Sequence, residues 1–270
     1  SPHGDDNITP CPNHQISESR TSRRTNQAPW LRATWLRESV GQVKIDVTLD
    51  HRLDAGGKDP DCSSASLREY HRVLWSKQLP SGEVFELQPD DKKYLVHDSK
   101  LGRFELSSDS ISNSMRARKS MVSIIEQISS QDLDAFQGIG ATIGGYTLFP
   151  SNPVNGQNTI NVQRGFNRAI SDRFDLTLEC IRRHYAGENS PLTDCLQNYA
   201  DFFSLFETFE GYVDFFLLQD LVADGVVKYF LPFDNFKTPA QSNSLADYRI
   251  YMANSMRFTA ERNARIALHH

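Results

Sequence analysis

The run from Val84 to Leu106, VFELQPDDKKYLVHDSKLGRFEL, decides the fold class. Its three short apolar segments, 84–87, 94–96 and 104–106, alternate with polar neighbours and are separated by Asp, Lys and Gly clusters. Period-two alternation between turn formers marks strands that bury one face, so the stretch predicts a small antiparallel sheet. Outside it the spacing lengthens to three and four. Segment 67–75, behind Ser66 as a cap and ahead of Pro80-Ser81-Gly82, predicts a helix. Segments 115–128 and 133–136 also read as helical, with Gly138-Ile139-Gly140 as a break and 141–149 as a buried strand. Gly144-Gly145 inside that strand marks a bulge or a close approach of backbones, because no side chain stands there. Asn155-Gly156 is a turn signal that would close a hairpin onto 159–162.

The second half is richer in helix. Ser171 or Asp172 is placed to cap a helix over 173–185, Gly187 ends it, and Ser190-Pro191 opens another. That next run carries Leu196, Tyr199, Phe202, Phe203, Phe206 and Phe209 at spacings of three and four, the pattern of a buried helix face. Segment 212–222 continues as helix or strand, 226–231 reads as a strand, and 245–266 as a terminal helix. Strand clusters interrupted by helices, without regular alternation of the two, predict an α+β protein: a small antiparallel or mixed sheet packed against a mainly helical second half.

Composition shifts divide the 270 residues. Residues 1–43 form a polar tail with one short amphipathic segment, Trp30-Leu31-Arg32-Ala33-Thr34-Trp35-Leu36-Arg37; residues 44–268 form a single globular domain, and His269-His270 look like a tag remnant. A net charge of −5 gives no whole-molecule attraction toward nucleic acid. The most apolar region, 199–222, is interrupted by Asp201, Glu207, Glu210, Asp214 and Asp220, so no membrane span is expected. Residues 1–27 lack the charged-then-apolar pattern of a secretory signal, and Cys11, Cys62, Cys180 and Cys195 show no zinc or redox spacing. Free thiols in a cytoplasmic setting are the expectation.

The densest polar constellation lies at 161–185. Asp172, Asp175, Glu179, Arg182 and Arg183 fall along one side of a helix, where i,i+4 pairing on the surface is one reading. A second reading sets arginines, Arg164, Arg168 and Arg173, near a helix N-terminus as an anion pocket. A third makes Asp172, Asp175 and Glu179 ligands of Mg²⁺, against the weight of the neighbouring arginines. Gly56-Gly57-Lys58 lacks the glycine spacing of a phosphate-binding loop and reads as a turn before a helix. His71, His97 and His184 are the interior histidines suited to acid–base work, with Tyr70, Ser108 and Asp109 as possible companions. No nucleophile elbow surrounds a serine, which disfavours triad hydrolases.

The strings Gly57-Lys58-Asp59-Pro60-Asp61, Tyr70-His71-Arg72-Val73-Leu74-Trp75-Ser76-Lys77, Leu106-Ser107-Ser108-Asp109-Ser110 and Ile143-Gly144-Gly145, with segments 172–185 and 211–222, carry a resemblance. Together they resemble a family of uncharacterised bacterial, actinobacterial-type proteins known only as a domain of unknown function. The resemblance spans about 45–231, implies a bacterial cytoplasmic protein, and transfers no catalytic residue or cofactor. From the residues themselves, the leading expectation is a pocket for a phosphate-bearing ligand, a nucleotide or nucleic-acid end, built from Arg164, Arg173, Arg183 and His184, with His184, Asp175 and Glu179 as the catalytic candidates. The alternative is a non-catalytic scaffold that forms homo-oligomers through its aromatic helices.

Overall fold

Short caps set the entry to the fold in the computed structural model, which describes residues 43–90, 95–115 and 118–269. Asp50 caps the single turn α1 (His51–Asp54) and Asp59 caps α2 (Pro60–Ser63), each accepting the N–H two residues on. Ser64 caps α3 (Ala65–Trp75), accepting the N–H of Leu67 three residues on. The helix therefore starts earlier than a Ser66 cap would place it. It buries Leu67, Tyr70, His71, Leu74 and Trp75, one stripe at helical spacing. A ribbon of β1 (Lys77–Gln78) and β2 (Val84–Phe85) follows, then β3 (Gln88–Pro89), β4 (Leu95–Ser99) and β5 (Gly102–Ser110).

The middle of the chain holds α4 (Val122–Ile125), α5 (Ser130–Gly140) and β6 (Tyr146–Pro150). After it come α6 (Ile160–Phe166), α7 (Phe174–Ala186), α8 (Thr193–Gln197), α9 (Ala200–Ser204) and α10 (Phe209–Phe215). The ribbon β7 (Val222–Ala223) with β8 (Val226–Val227) and the helix α11 (Leu245–His269) close the fold. Helices with small antiparallel sheets make this an α+β protein, as the sequence pattern predicts. Apart from Val43 and Lys44, the described residues fall in one unit, Ile45–His270. The tail and its amphipathic segment 30–37 lie outside the described residues.

The main sheet has the order β3-β4-β5-β6, antiparallel throughout. β4 pairs with β5 only from Gly102 to Leu106, whereas β6 pairs from Leu106 to Ser110. Ser151 donates to the Glu105 carbonyl and Ile111 to that of Gly145, so odd residues of β5 bond toward β6 and even ones face the edge that β4 has left. Side chains fill that vacancy. Asp61 accepts the Ser108 N–H at 2.7 Å and Arg164 donates to the Ser110 carbonyl at 3.0 Å.

Three expectations change. The turn at Asn155-Gly156 exists, with φ of 52° and 71°, but no hairpin forms after it. Thr159 instead accepts from Val162 as a helix cap, and Ile160 and Arg164, four residues apart, bury one face of α6. Gly138 and Gly140 lie within α5 and end it no earlier than Gly140, while 141–149 divides into a 3₁₀ turn (Ile143–Gly145) and β6. The aromatic run is cut into α9 and α10, because Glu207 takes a left-handed φ of 62° and Thr208 caps the next helix.

The aromatic residues make the core. Phe206 has ring centroids of Tyr212, Phe215 and Phe216 at 5.4, 5.0 and 5.2 Å, and Trp75 of α3 meets Phe216 at 5.3 Å. Phe202, Phe203, Phe206, Phe209, Tyr212, Phe215 and Phe216 are all buried inside this chain. Self-association through aromatic helices has no exposed rings of this set to use. Among the described residues no helix is long and apolar enough to cross a membrane. Cys180 and Cys195 are free and buried, but Cys62 is disulfide-bonded, which corrects the expectation of four free thiols.

Candidate functional site

Consecutive residues of β5 point to opposite faces of the sheet, so Ser108 and Asp109 enter two different environments. Toward α3, the Ser108 hydroxyl lies 3.0 Å from Nε2 of His71, whose Nδ1 lies 2.9 Å from the indole nitrogen of Trp75. An indole N–H only donates, so Nδ1 accepts, Nε2 carries the proton and Ser108 Oγ accepts from it. His71 is therefore wired as a donor to Ser108 rather than as its base. Complete burial holds its pKa well below the ordinary imidazole range.

On the other face, Arg164 is fully buried and donates to Asp109 at 2.5 Å. The same guanidinium reaches the Asp172 carboxylate at 3.1 Å, the Asp172 carbonyl at 2.9 Å and the Thr177 hydroxyl at 3.1 Å. With its amide nitrogen turned toward Asp109, Asn161 donates to both carboxylate oxygens at 2.9 and 3.0 Å. Burial outweighs Arg164 and pushes Asp109 up to about 6; burial likewise pushes Asp61 to about 7. Ser171 and Asp172 both adopt left-handed backbone, φ 49° and 65°, a strained pair for non-glycine residues that the Arg164 grip on Asp172 holds in place.

Arg173 stands at the N-terminal end of α7, which no side chain caps. It pairs with the fully buried Asp175 through Nε at 3.2 Å and Nη2 at 2.5 Å. Asp175 also accepts the Phe230 N–H at 2.9 Å. Longer bonds run from Arg173 Nη1 to the Ala240 carbonyl at 3.3 Å and from Nη2 to that of Leu231 at 3.4 Å. Among the described residues four of the five guanidinium N–H groups are thus engaged, and one on Nη1 is left over. Between Arg173 and the 231–243 loop lies a cavity of about 210 Å³, lined also by Leu176, Phe233, Phe236 and Ser242. The Ser242 hydroxyl is buried there and has no hydrogen-bond partner among the described residues.

Arg183 and His184 sit near the other end of α7. Arg183 donates to Glu179 at 2.7 Å, bonds to Asn235, and lies 4.9 Å from the Phe236 ring. Arg182 takes the other Glu179 oxygen at 2.9 Å, so Glu179 neutralises two cations. Those bonds with arginine hold Glu179 below its ordinary range against its burial. His184 packs on Phe203 at 5.3 Å, and burial lowers its pKa.

Of the sequence-derived ligand residues, then, only Arg173 lines the cavity. Arg164 serves the β5 edge and its carboxylates, Arg183 braces the 231–243 loop from outside, and His184 belongs to the aromatic packing. The catalytic candidates Asp175, Glu179 and His184 do not converge: the first two are locked to arginines, and none of the three lines the cavity. The Mg²⁺ reading meets the same obstacle, since Asp172, Asp175 and Glu179 each face an arginine. Among the described residues no group of three His, Cys, Asp or Glu side chains is placed to hold a metal ion. Conversely, His71 and Ser108, two possible companions in the sequence, do meet. Ser242 carries no sequence signal, because a lone serine in a loop has no pattern around it.

Fold and site together define an α+β protein with a small, partly aromatic cavity at one helix end and a buried acid–arginine network beside it. The chain belongs to a family of unknown function, DUF6994, whose pattern matches residues 45–266. No curated protein and no solved structure matches it.

Proposed function

We propose that this protein binds a small oxyanion-bearing metabolite, phosphorylated or carboxylated, in the cavity between α7 and the 231–243 loop. One observation carries the reading: the buried Ser242 hydroxyl, which has no hydrogen-bond partner among the described residues, borders the same cavity as Arg173, whose five guanidinium N–H groups make four bonds among those residues. A buried donor without a partner costs about 1–3 kcal/mol, which a ligand oxygen would recover. The uncapped N-terminal end of α7 adds a favourable field for negative charge.

Phe233 and Phe236 in the lining give a nucleotide a surface for its base, with the phosphate at Arg173. At about 210 Å³ the cavity is smaller than the roughly 300 Å³ at which drug-sized pockets begin, so such a ligand would insert one end. The net charge of −5 favours a free nucleotide over a nucleic-acid end. A bacterial cytosolic setting comes with the family resemblance; the disulfide at Cys62 pulls against a reducing compartment.

Thermal-shift and calorimetric titrations with inorganic phosphate, mononucleotides and di- and tricarboxylates test the reading. A ligand at about 100 times its Kd adds ~2.7 kcal/mol of stability. Ser242→Ala should weaken binding roughly fivefold to tenfold, the worth of one neutral hydrogen bond. Ser242→Trp, which fills the cavity, should abolish it. Binding that survives Ser242→Trp, or no stabilisation by any of these ligands, would overturn the proposal.

A further inference from the structure

The lining of the Arg173 cavity carries more negative charge than positive. Among the described residues it includes one cation, Arg173, and two carboxylates, Asp234 and Asp247. The charge of Arg173 is already balanced by Asp175 at 2.5 Å. A phosphate dianion placed here would meet two carboxylates and a cation that is spent. A ligand that brings its own positive charge as well as an oxyanion would be attracted by both kinds of group.

The two carboxylates are not equivalent. Asp234 is exposed, at the mouth of the cavity, and accepts the Lys237 N–H at 3.1 Å. Asp247 is half-buried in the first turn of α11. One of its oxygens accepts the Ser244 hydroxyl at 2.8 Å, and Ser244 Oγ accepts the Asp247 N–H at 3.1 Å. This reciprocal cap fixes the side chain and keeps its charge inside the lining, where no arginine or lysine other than Arg173 stands among the described residues.

Ser242 lies two residues before that cap, and its buried hydroxyl is the donor that lacks a partner among the described residues. A group suited to an ammonium and groups suited to a carboxylate thus border one small space. Leu176, Leu231, Phe233 and Phe236 supply the apolar part of the same lining, a surface for a hydrocarbon or aromatic side chain. At about 210 Å³ the space suits a molecule of amino-acid size and admits only one end of a nucleotide.

We infer that the ligand of this cavity is a zwitterion, an apolar or aromatic α-amino acid, with its carboxylate at Ser242 and Arg173 and its ammonium at Asp247. The inference rests on the oxyanion reading of the cavity and narrows it to one chemical class. The test is calorimetric titration of the full chain with L-alanine, L-leucine and L-phenylalanine, each beside its deaminated acid and its primary amide, and with inorganic phosphate. At least one free amino acid should bind. Loss of the ammonium in the deaminated acid, and of the carboxylate in the amide, should each weaken binding by at least about tenfold. Asp247→Asn keeps an acceptor for Ser244 and removes the charge. It should weaken the free amino acid by about tenfold without weakening the deaminated acid, a difference that a merely structural role would not produce. No binding by any of the three amino acids, a deaminated acid or phosphate binding as tightly as they do, or equal losses for both forms in Asp247→Asn would overturn the inference. The oxyanion reading falls only if its own wider set of phosphates, nucleotides and carboxylates is silent too, so the two failures are told apart.

Discussion

The indole N–H of Trp75 donates to Nδ1 of His71 across one turn of α3, at 2.9 Å, and so decides which imidazole nitrogen carries the proton. With Nε2–H committed to Ser108 and the ring completely buried, protonation of Nδ1 would break the indole bond and bury a charge. Nitrogen chemical shifts should show the Nε2–H tautomer, unchanged between about pH 5 and 8. The unfolded chain binds this proton below the ordinary value of 6.5 and the folded chain does not, so His71 lowers stability as pH falls through that value. A His71 signal that titrates near 6.5 would contradict the wiring.

Arg164 reaches two carboxylates from a fully buried position. Arg164→Met keeps the volume and removes the charge, leaving Asp109 and Asp172 without their cation. The expected cost is about 3–5 kcal/mol in urea unfolding, the range for breaking a buried pair. Asp109→Asn should cost less, since Asp172 still balances the guanidinium, and the double variant should fall short of the sum. Additive losses would mean that Arg164 and Asp109 act independently.

Asp61 leads to a pH-dependent prediction. Its carboxyl is raised from 3.8 to about 7, chiefly by burial, so between these values the folded state holds a proton that the unfolded chain has released. Its contribution to stability is complete below the unfolded value and is lost as pH rises through the folded one. Asp61→Asn preserves an acceptor for the Ser108 N–H and removes the ionisation. The variant should match the parent near pH 4 and exceed it by about 1–3 kcal/mol near pH 8. Parallel stability curves over that range would show that Asp61 keeps its charge when folded.

The sequence exposed local periodicity well and long-range pairing poorly. β4 and β5 were legible because alternation is a property of neighbours, and α7 because its apolar spacing ends at Gly187, where a φ of 68° suits glycine. The 155–162 stretch misled because the Asn155-Gly156 turn forms as its residues dictate, yet the cap at Thr159 commits the next residues to helix rather than strand. Ser108 meets His71 from 37 residues away and Asp61 from 47, and no pattern within one segment encodes such a meeting. The arginines of 161–185 were visible as a cluster, but buried carboxylates and carbonyls occupy most of their donors. Only the geometry shows which donor remains.

Gly144-Gly145 is the place where sequence and structure agree most closely, and it gives the sharpest stability prediction. A Cβ at Gly145 would drive into the backbone carbonyl of Gly140, and one at Gly144 would collide with the Asn263 side chain and the Thr259 carbonyl of α11. Neither glycine has a left-handed φ, so the constraint is space rather than backbone freedom. The close fit lets the Gly144 N–H reach Asn263 at 2.8 Å and its carbonyl accept from the buried Arg262 at 3.0 Å. Gly145→Ala meets backbone, which cannot rotate aside, and should cost at least about 3 kcal/mol, beyond the usual 1–3 for overpacking. Gly144→Ala meets a side chain first, which can turn away at the loss of two buried hydrogen bonds, and only grazes the Thr259 carbonyl, so its cost should be about 2–3 kcal/mol. Thermal unfolding of the two variants checks the order. A Gly145→Ala protein as stable as the parent would show that the α5 end and the 143–145 turn can separate, and that the close approach does not hold them together.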